Sequence, residues 1–295
     1  MNSIVVSDLH MGSPYFHAEA FGGFLEKLPA NYELILNGDV IDRPYLKLNY
    51  LHQGILDRIK HISLTQKVVW VRGNHENGYM PPNLGKIDFR QCYAVGDRLL
   101  ITHGDDFDKI MPRSQIFMKA FRLMHEIRVK LGARPVHVAE YAKKWKAFYR
   151  VLRNNVMINA VNFAAENGYP AVCCGHTHFA EDMVVNGIRY INTGAWTEYP
   201  AFYLHITPDN MILDRIDQSH IKPRGESPIP KYVKSSTPIN NASRSIIFSN
   251  QYQGIAGHTQ TAQQHGGYSY QGIEQAAHGD RDADGVIQKS KSEIL

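Results

Sequence analysis

The sequence predicts an α/β fold, and three observations carry that expectation. Short apolar runs rich in β-branched residues recur along the chain. Amphipathic stretches separate several of them, and each run ends in a short polar motif. Strands that alternate with helices build a sheet with helices on its faces. In such sheets functional groups gather at the C-terminal ends of the strands.

Taken in order, residues 3–7 form the first run, rich in valine and isoleucine, and end at Asp8. Residues 33–36 run into Asn37-Gly38-Asp39, and 67–71 into Gly73-Asn74-His75. Residues 99–102 run into His103-Gly104, and 171–174 into Gly175-His176. Stretches 16–28 and 50–62 have helical amphipathic spacing. An insertion, about residues 105–167, separates His103 from Cys173. Within it, 114–131 sets Ile116, Phe117, Ala120, Phe121, Met124 and Ile127 at spacings of three and four, an amphipathic helix. Residues 136–151 and 156–166 are expected to be helical too, the latter stopped by Gly168. The insertion is basic: Lys119, Arg122, Arg128, Lys130, Arg134, Lys143, Lys144, Lys146, Arg150 and Arg153 outnumber its acids. Short strands are expected at 183–186, 189–192, 201–206 and 211–216, with Asn186-Gly187 as a hairpin turn. Residues 1–216 are thus expected to form the folded domain. Residues 217–295 are rich in Ser, Gln, Gly, Asn and His, cannot bury enough apolar surface to offset their ordering entropy, and are expected to be disordered.

Composition excludes some classes. Hydrophobic residues at 43% and charged residues at 20% suffice for a sizeable core in a chain of 295 residues. A net charge of +4 permits an anionic partner without demanding one, and no nucleic acid is expected. Three cysteines, Cys92, Cys173 and Cys174, show no disulfide framework spacing, which points to a reducing compartment. Cys173 and Cys174 read as small buried hydrophobes, and the tail histidines His258, His265 and His278 as solvated. The opening MNSIVVSDLH lacks the pattern of a signal peptide. No run approaches the roughly 18 apolar residues of a spanning helix. The expectation is a cytoplasmic protein, in peripheral contact with a membrane at most.

The candidate metal ligands are Asp8, His10, Asp39, Asn74, His103, His176 and His178. Singly, each has an ordinary explanation: aspartate favours turns, and a lone histidine is more often a satisfied core or surface group. Jointly, five strand ends each deliver a carboxylate, imidazole or carboxamide. That set suits two divalent ions held by oxygen and nitrogen, with manganese or iron favoured and zinc open. Paired ions roughly 3.5–4 Å apart need a bridging ligand, which a carboxylate supplies, so Asp39 or Asp8 must bridge. Such ions polarise phosphoryl oxygens and lower the pKa of water toward about 7, which suits in-line attack at phosphorus.

The motifs Asp8-x-His10, Gly38-Asp39-x-x-Asp42, Gly73-Asn74-His75-Glu76, His103-Gly104 and Gly175-His176-x-His178 resemble, in order, those of calcineurin-like metallophosphoesterases. The resemblance spans about residues 3–206. It implies a four-layer α/β/β/α sandwich with a helical insertion. It implies that Asp8, His10, Asp39 and His178 hold one metal, and that Asp39, Asn74, His103 and His176 hold the other, with Asp39 as the bridge. It further implies that His75 is no ligand but protonates the leaving oxygen, and that Asp42 orients His75. Ser7-Asp8-Leu9-His10-Met11-Gly12-Ser13, His103-Gly104-Asp105, the basic insertion and Asn192-Thr193-Gly194-Ala195-Trp196 resemble bacterial UDP-2,3-diacylglucosamine hydrolases. Those enzymes cleave a pyrophosphate of a lipid-bearing nucleotide sugar in lipid A synthesis. His75 departs from that branch, whose well-known members carry Arg there. Gly-Asn-His-Glu with Asp42-Arg43 is similar instead to serine/threonine phosphoprotein phosphatases. The expected substrate is a phosphorylated small molecule or lipid, with a phosphodiesterase or a phosphoprotein phosphatase as alternatives. Arg43, Arg122 and Arg128 are the candidate substrate-binding residues. The insertion reads as a solvated cap or as a lid meeting acyl chains and anionic headgroups. A non-catalytic binding scaffold is the remaining alternative, and no ligand of the set is missing.

Overall fold

The computed structural model describes residues 2–76, 78–111 and 115–216. The expectations for 217–295 and its histidines lie outside the described residues. Three parallel strands open the first sheet: β1 (Asn2–Val6), β2 (Tyr32–Asn37) and β3 (Val68–Val71). They are covered on both faces, which is why they read as continuous apolar runs. The crossovers are α1 (Ala18–Glu26) and α2 (Tyr50–Ile62), the latter capped by Asn49, whose side chain accepts the His52 N–H. A short β4 (Asp88–Arg90) extends the parallel edge. The second sheet follows with β5 (Cys92–Val95) and β6 (Leu99–Thr102), then, after the insertion, β7 (Ala171–Cys174), β8 (Glu181–Val185) and β9 (Ile188–Asn192). The chain then returns to the first sheet through β10 (Phe202–Ile206) and β11 (Met211–Arg215). Strand orders are β11-β10-β1-β2-β3-β4 and β5-β6-β7-β9-β8. Asn186 and Gly187 both have positive φ, as the tight β8–β9 hairpin requires.

Side-chain alternation sorts these strands into layers. Val5, Ile35, Val69 and Val71 point between the sheets and meet Leu99, Ile101, Ala171, Cys173 and Ile191. Ile4, Val6, Leu34 and Leu36 point the other way, onto Phe21, Leu25, Ile55 and Ile59 of α1 and α2. On the far side, Val172, Cys174 and Tyr190 pack on Val156, Ala160, Val161 and Ala164. The result is helix, sheet, sheet, helix, the expected sandwich. Cys173 and Cys174 enter opposite layers, and burial pushes both thiols up from their ordinary range.

Between β6 and β7 the chain forms α3 (Gln115–Lys130), α4 (Val138–Ala142) and α5 (Lys146–Glu166). Here two expectations need correction. The helix expected over 136–151 breaks after α4, and its second half fuses with the expected 156–166 helix into one continuous α5. No glycine or proline lies within Lys146–Glu166 to stop it. Asn155, a potential breaker, spends its side chain on the Lys109 N–H at 3.0 Å. Strands β4 and β5 were not expected: β4 is three residues with two charges, and β5 is only four residues long and mostly half-buried. No described helix is long and apolar enough to cross a membrane.

The inter-sheet layer should dominate stability. Ile35 is fully buried there, and Ile35→Ala should cost about 2–5 kcal/mol in a denaturant titration. Ile212→Ala, 53% exposed, should cost less than about 0.5 kcal/mol in the same titration.

Candidate metal centre

Loops at the ends of β1, β2, β3, β6 and β7 converge at one end of the sandwich. Main-chain bonds lace them together. Asp8 N–H donates to Gly38 O at 3.1 Å, His10 N–H to Asp39 O at 2.9 Å, and Gly175 N–H to His103 O at 2.9 Å. Asp8, His10, Asp39, His176 and His178 all adopt positive φ, between 50 and 61°. Such backbone costs of order 1 kcal/mol or more per non-glycine residue and persists where the surroundings hold it. The neighbouring glycines follow from packing. A Cβ at Gly38 would overlap the His103 ring, one at Gly73 would overlap Asp39, and one at Gly175 would overlap Asp8.

The candidate ligands fall into two groups. Asp8, His10 and His178 each offer a ligand atom within 4.8 Å of the others, and so do Asp39, His103 and His176. In the first group, Nε2 of His178 lies 3.2 Å from Asp8 Oδ1 and 3.1 Å from Nε2 of His10. In the second, His103 Nδ1–H donates to Asn37 O at 2.9 Å, which leaves Nε2 facing Asp39 Oδ2 at 3.3 Å. Asp39 Oδ2 is also 3.9 Å from His10 Nε2, so this carboxylate lies between the groups. Asn74 reaches the second group through Oδ1, 3.0 Å from His176 Nδ1.

Asp8 and Asp39 are 0% and 2% exposed, and buried carboxylates demand positive charge. Burial would raise the Asp39 carboxyl, yet the His103 and His75 imidazoles hold it well below the usual range. Burial would lower His178, but the Asp8 charge carries it up to about 9. Asp8 Oδ1 and His103 Nε2 are buried without a hydrogen-bond partner. Orphaned ligand atoms around two carboxylates, with oxygen and nitrogen donors and no thiolate, fit divalent cations.

His75 joins this cluster at its rim. Its main-chain N–H donates to Asp39 Oδ1 at 2.8 Å, and its Nε2 lies 3.9 Å from Asp39 Oδ2. Its Nδ1–H donates to the Asp42 carbonyl at 2.7 Å, whereas the Asp42 carboxylate is 3.8 Å away. Asp42 therefore steers His75 through its main chain, and its carboxylate sits closer to His10 Nδ1, at 3.4 Å. Arg43 extends from this loop, with Nε 3.5 Å from Asp42. Arg122 is exposed on α3. Arg128 is engaged inside the insertion, donating to Arg134 O at 3.1 Å and lying over the Tyr141 ring.

Several residues here were not among the expected site residues. Glu76 is 2% exposed and accepts four main-chain N–H groups: Asp39 (3.1 Å) and Gly73 (2.8 Å) at Oε2, Val40 (2.6 Å) and Ile41 (3.1 Å) at Oε1. Burial and then the Asp39 charge push its carboxyl up to about 7. Its place after Asn74-His75 was visible, but its hidden position was not. Asp108 meets His176 Nε2 at 3.0 Å, and Glu198 lies 3.7 Å from His178 Nδ1. His137, from the insertion, packs beside His10 and His178.

The family model for calcineurin-like phosphoesterases matches residues 1–180. Among solved structures, the chain is similar to Yfce, a phosphoesterase from E. coli, at 16% identity over 73% of this chain and 98% of that one, with a TM-score of 0.37. It is similar to a conserved protein described as a predicted phosphoesterase from Streptococcus pneumoniae TIGR4, at 18% identity over 74% and 90%, with a TM-score of 0.35. An archaeal phosphodiesterase is similar at 17% identity over 73% and 99%, with a TM-score of 0.36. No curated protein matches the chain.

Glu76→Ala would leave these main-chain donors buried and unpaired. In chelator, denaturant melts should show a loss of about 3 kcal/mol, with Glu76→Gln intermediate.

Proposed function

This chain belongs to the calcineurin-like phosphoesterases, and we propose that residues 1–216, with 105–167 as a cap, hydrolyse the pyrophosphate of a UDP-2,3-diacylglucosamine-type substrate. The family makes it a metal-dependent hydrolase. The observation that carries the reading of the site is the pair of ligand groups meeting at Asp39. Asp8, His10, Asp39 and His178 would hold one divalent ion, and Asp39, Asn74, His103 and His176 the other, with manganese favoured over iron or zinc. When bound, the ions supply water activation and polarisation of the phosphoryl group.

The chain's own residues do the rest. His75 gives a proton to the leaving oxygen from Nε2, a role supported by its place at the rim and by the Asp42 carbonyl that fixes its ring. His103 commits its Nδ1–H to Asn37 O, which turns Nε2 toward Asp39 and would present it to a metal ion. Arg43, more than half exposed beside this loop, would meet a phosphate oxygen. On the cap, Leu123, Met124, Ile127, Leu131 and Trp145 are exposed, and Arg122, Lys130 and Lys144 are exposed among them. That mixture supports a lid that meets acyl chains and anionic headgroups, on a cytoplasmic enzyme in peripheral contact with the inner membrane of a bacterium.

A second reading, a phosphodiesterase or a phosphoprotein phosphatase, is favoured by His75, where the UDP-sugar-lipid branch carries Arg. UDP-diacylglucosamine, cyclic nucleotides, bis(p-nitrophenyl) phosphate and phosphopeptides, assayed with manganese and product identification, separate the two. The expected result is fastest turnover of the lipid nucleotide, releasing UMP. Preference for phosphopeptides or cyclic nucleotides establishes the second reading instead. Asp39→Ala should abolish manganese-dependent hydrolysis and lower metal content. His75→Ala should lower kcat by about 10²–10⁴-fold with metal content intact; loss of metal in that variant rules out the proton-donor role.

A further inference from the structure

The insertion does more than cover the site. His137 caps the N-terminus of α4 and is 9% exposed, yet it lies among residues of the candidate metal centre. Its ring stacks on His178 at 5.1 Å between centroids and 13° between planes, and lies 5.1 Å from His10. One of its ring nitrogens is within 4.8 Å of a nitrogen of His10 and a carboxylate oxygen of Asp42. Three further bonds fasten the same insertion to this side of the site. Lys143 Nζ donates to His178 O at 2.5 Å and to Glu198 at 2.7 Å, and Tyr149 OH donates to Thr177 O at 2.5 Å. The segment that carries His137 is therefore tied to the site by side-chain anchors on both Lys143 and Tyr149.

The tautomer follows from one contact. Nδ1 accepts the Ala139 N–H at 3.3 Å, so the lone pair on that nitrogen is in use and the ring proton of the neutral imidazole sits on Nε2. An N–H cannot ligate a metal, but it can donate to an anion. Among the described residues no hydrogen bond engages Nε2 of His137. We propose that His137 is a further catalytic residue, contributed by the insertion, whose Nε2–H donates to a nonbridging oxygen of the phosphoryl group under attack. This rests on the phosphoesterase reading above and adds a residue from outside its motifs.

The test uses the full chain loaded with manganese, bis(p-nitrophenyl) phosphate as substrate and inorganic phosphate as a ligand whose affinity is read by calorimetry. His137→Phe keeps an aromatic ring against His178 but has no donor, and His137→Gln restores an N–H near the position of Nε2. The expected result is a fall in kcat/KM of about ten- to a hundredfold in His137→Phe, the effect of one hydrogen bond to a charged group. Phosphate affinity should fall about tenfold, with metal content and Tm unchanged, and His137→Gln should recover most of both losses. Wild-type kinetics and phosphate affinity in His137→Phe overturn the proposal, since the ring then only packs. Loss of metal in that variant overturns it in favour of a ligand role, and failure of His137→Gln to recover anything overturns the donor role. A wild-type chain inactive on every phosphoester sinks the functional reading, but calorimetry with phosphate still reads His137 on its own.

Discussion

Two carboxylates buried side by side set the terms for this molecule. Asp8 and Asp39 sit where the loops of the two sheets meet, with almost no exposure. An uncompensated ion in such a place is costly. The surroundings answer that cost with oriented positive ends: the His176 N–H on Asp8, the His75 N–H on Asp39, and a ring of imidazoles. Glu76 then adds a third buried carboxyl behind Asp39 and binds the β2 and β3 loops through their N–H groups. A divalent cation would answer these demands in a way the side chains alone do not, so the electrostatics of folding and of metal binding meet at one place here.

Neither sheet makes the site alone. Asp8, Asp39 and Asn74 leave the first sheet, whereas His103, His176 and His178 leave the second. The halves are keyed by a reciprocal pair of bonds. Asn37 Nδ2 donates to Thr102 O at 3.2 Å, and His103 Nδ1 donates back to Asn37 O at 2.9 Å. Asn192 Nδ2 holds Gly175 O at 2.7 Å, which fixes the loop that carries His176 and His178. The inter-sheet layer of valine, isoleucine and leucine thus does chemical work at a distance, because it fixes the spacing across which these bonds form.

The sandwich and the cluster were legible because their signals are local. Each apolar run and its terminal motif lie within a few residues of each other, so period and turn chemistry reveal them. What escaped depends on tertiary placement. His137 follows Pro135 and Val136 in a basic stretch and looks like any surface histidine until the fold brings it to His178. Asp108 and Glu198 stand in loops just beyond the quoted motifs, and nothing local marks them as partners of His176 and His178. Asp42 was legible as a partner of His75, but a sequence does not distinguish a carbonyl from a carboxylate as the contacting group. Arg128, a plausible phosphate binder by composition, is taken up by Arg134 and Tyr141. The positive φ of five candidate ligands is a property of closed loops, invisible where no glycine marks it.

β6 and β7 are adjacent parallel strands, Leu100 opposite Val172, yet the whole insertion runs between them. Loop-closure entropy rises only by about 0.6 kcal/mol for each doubling of length. Natural variation can therefore enlarge, shrink or exchange that segment at little thermodynamic penalty while the strand ends stay in register. The molecule separates what must be inherited intact from what is free to drift. The limit on drift is the pair of carbonyls, His178 O and Thr177 O, that the insertion now satisfies. A replacement cap has to bring its own donors to them, and in doing so it is drawn back over the same opening.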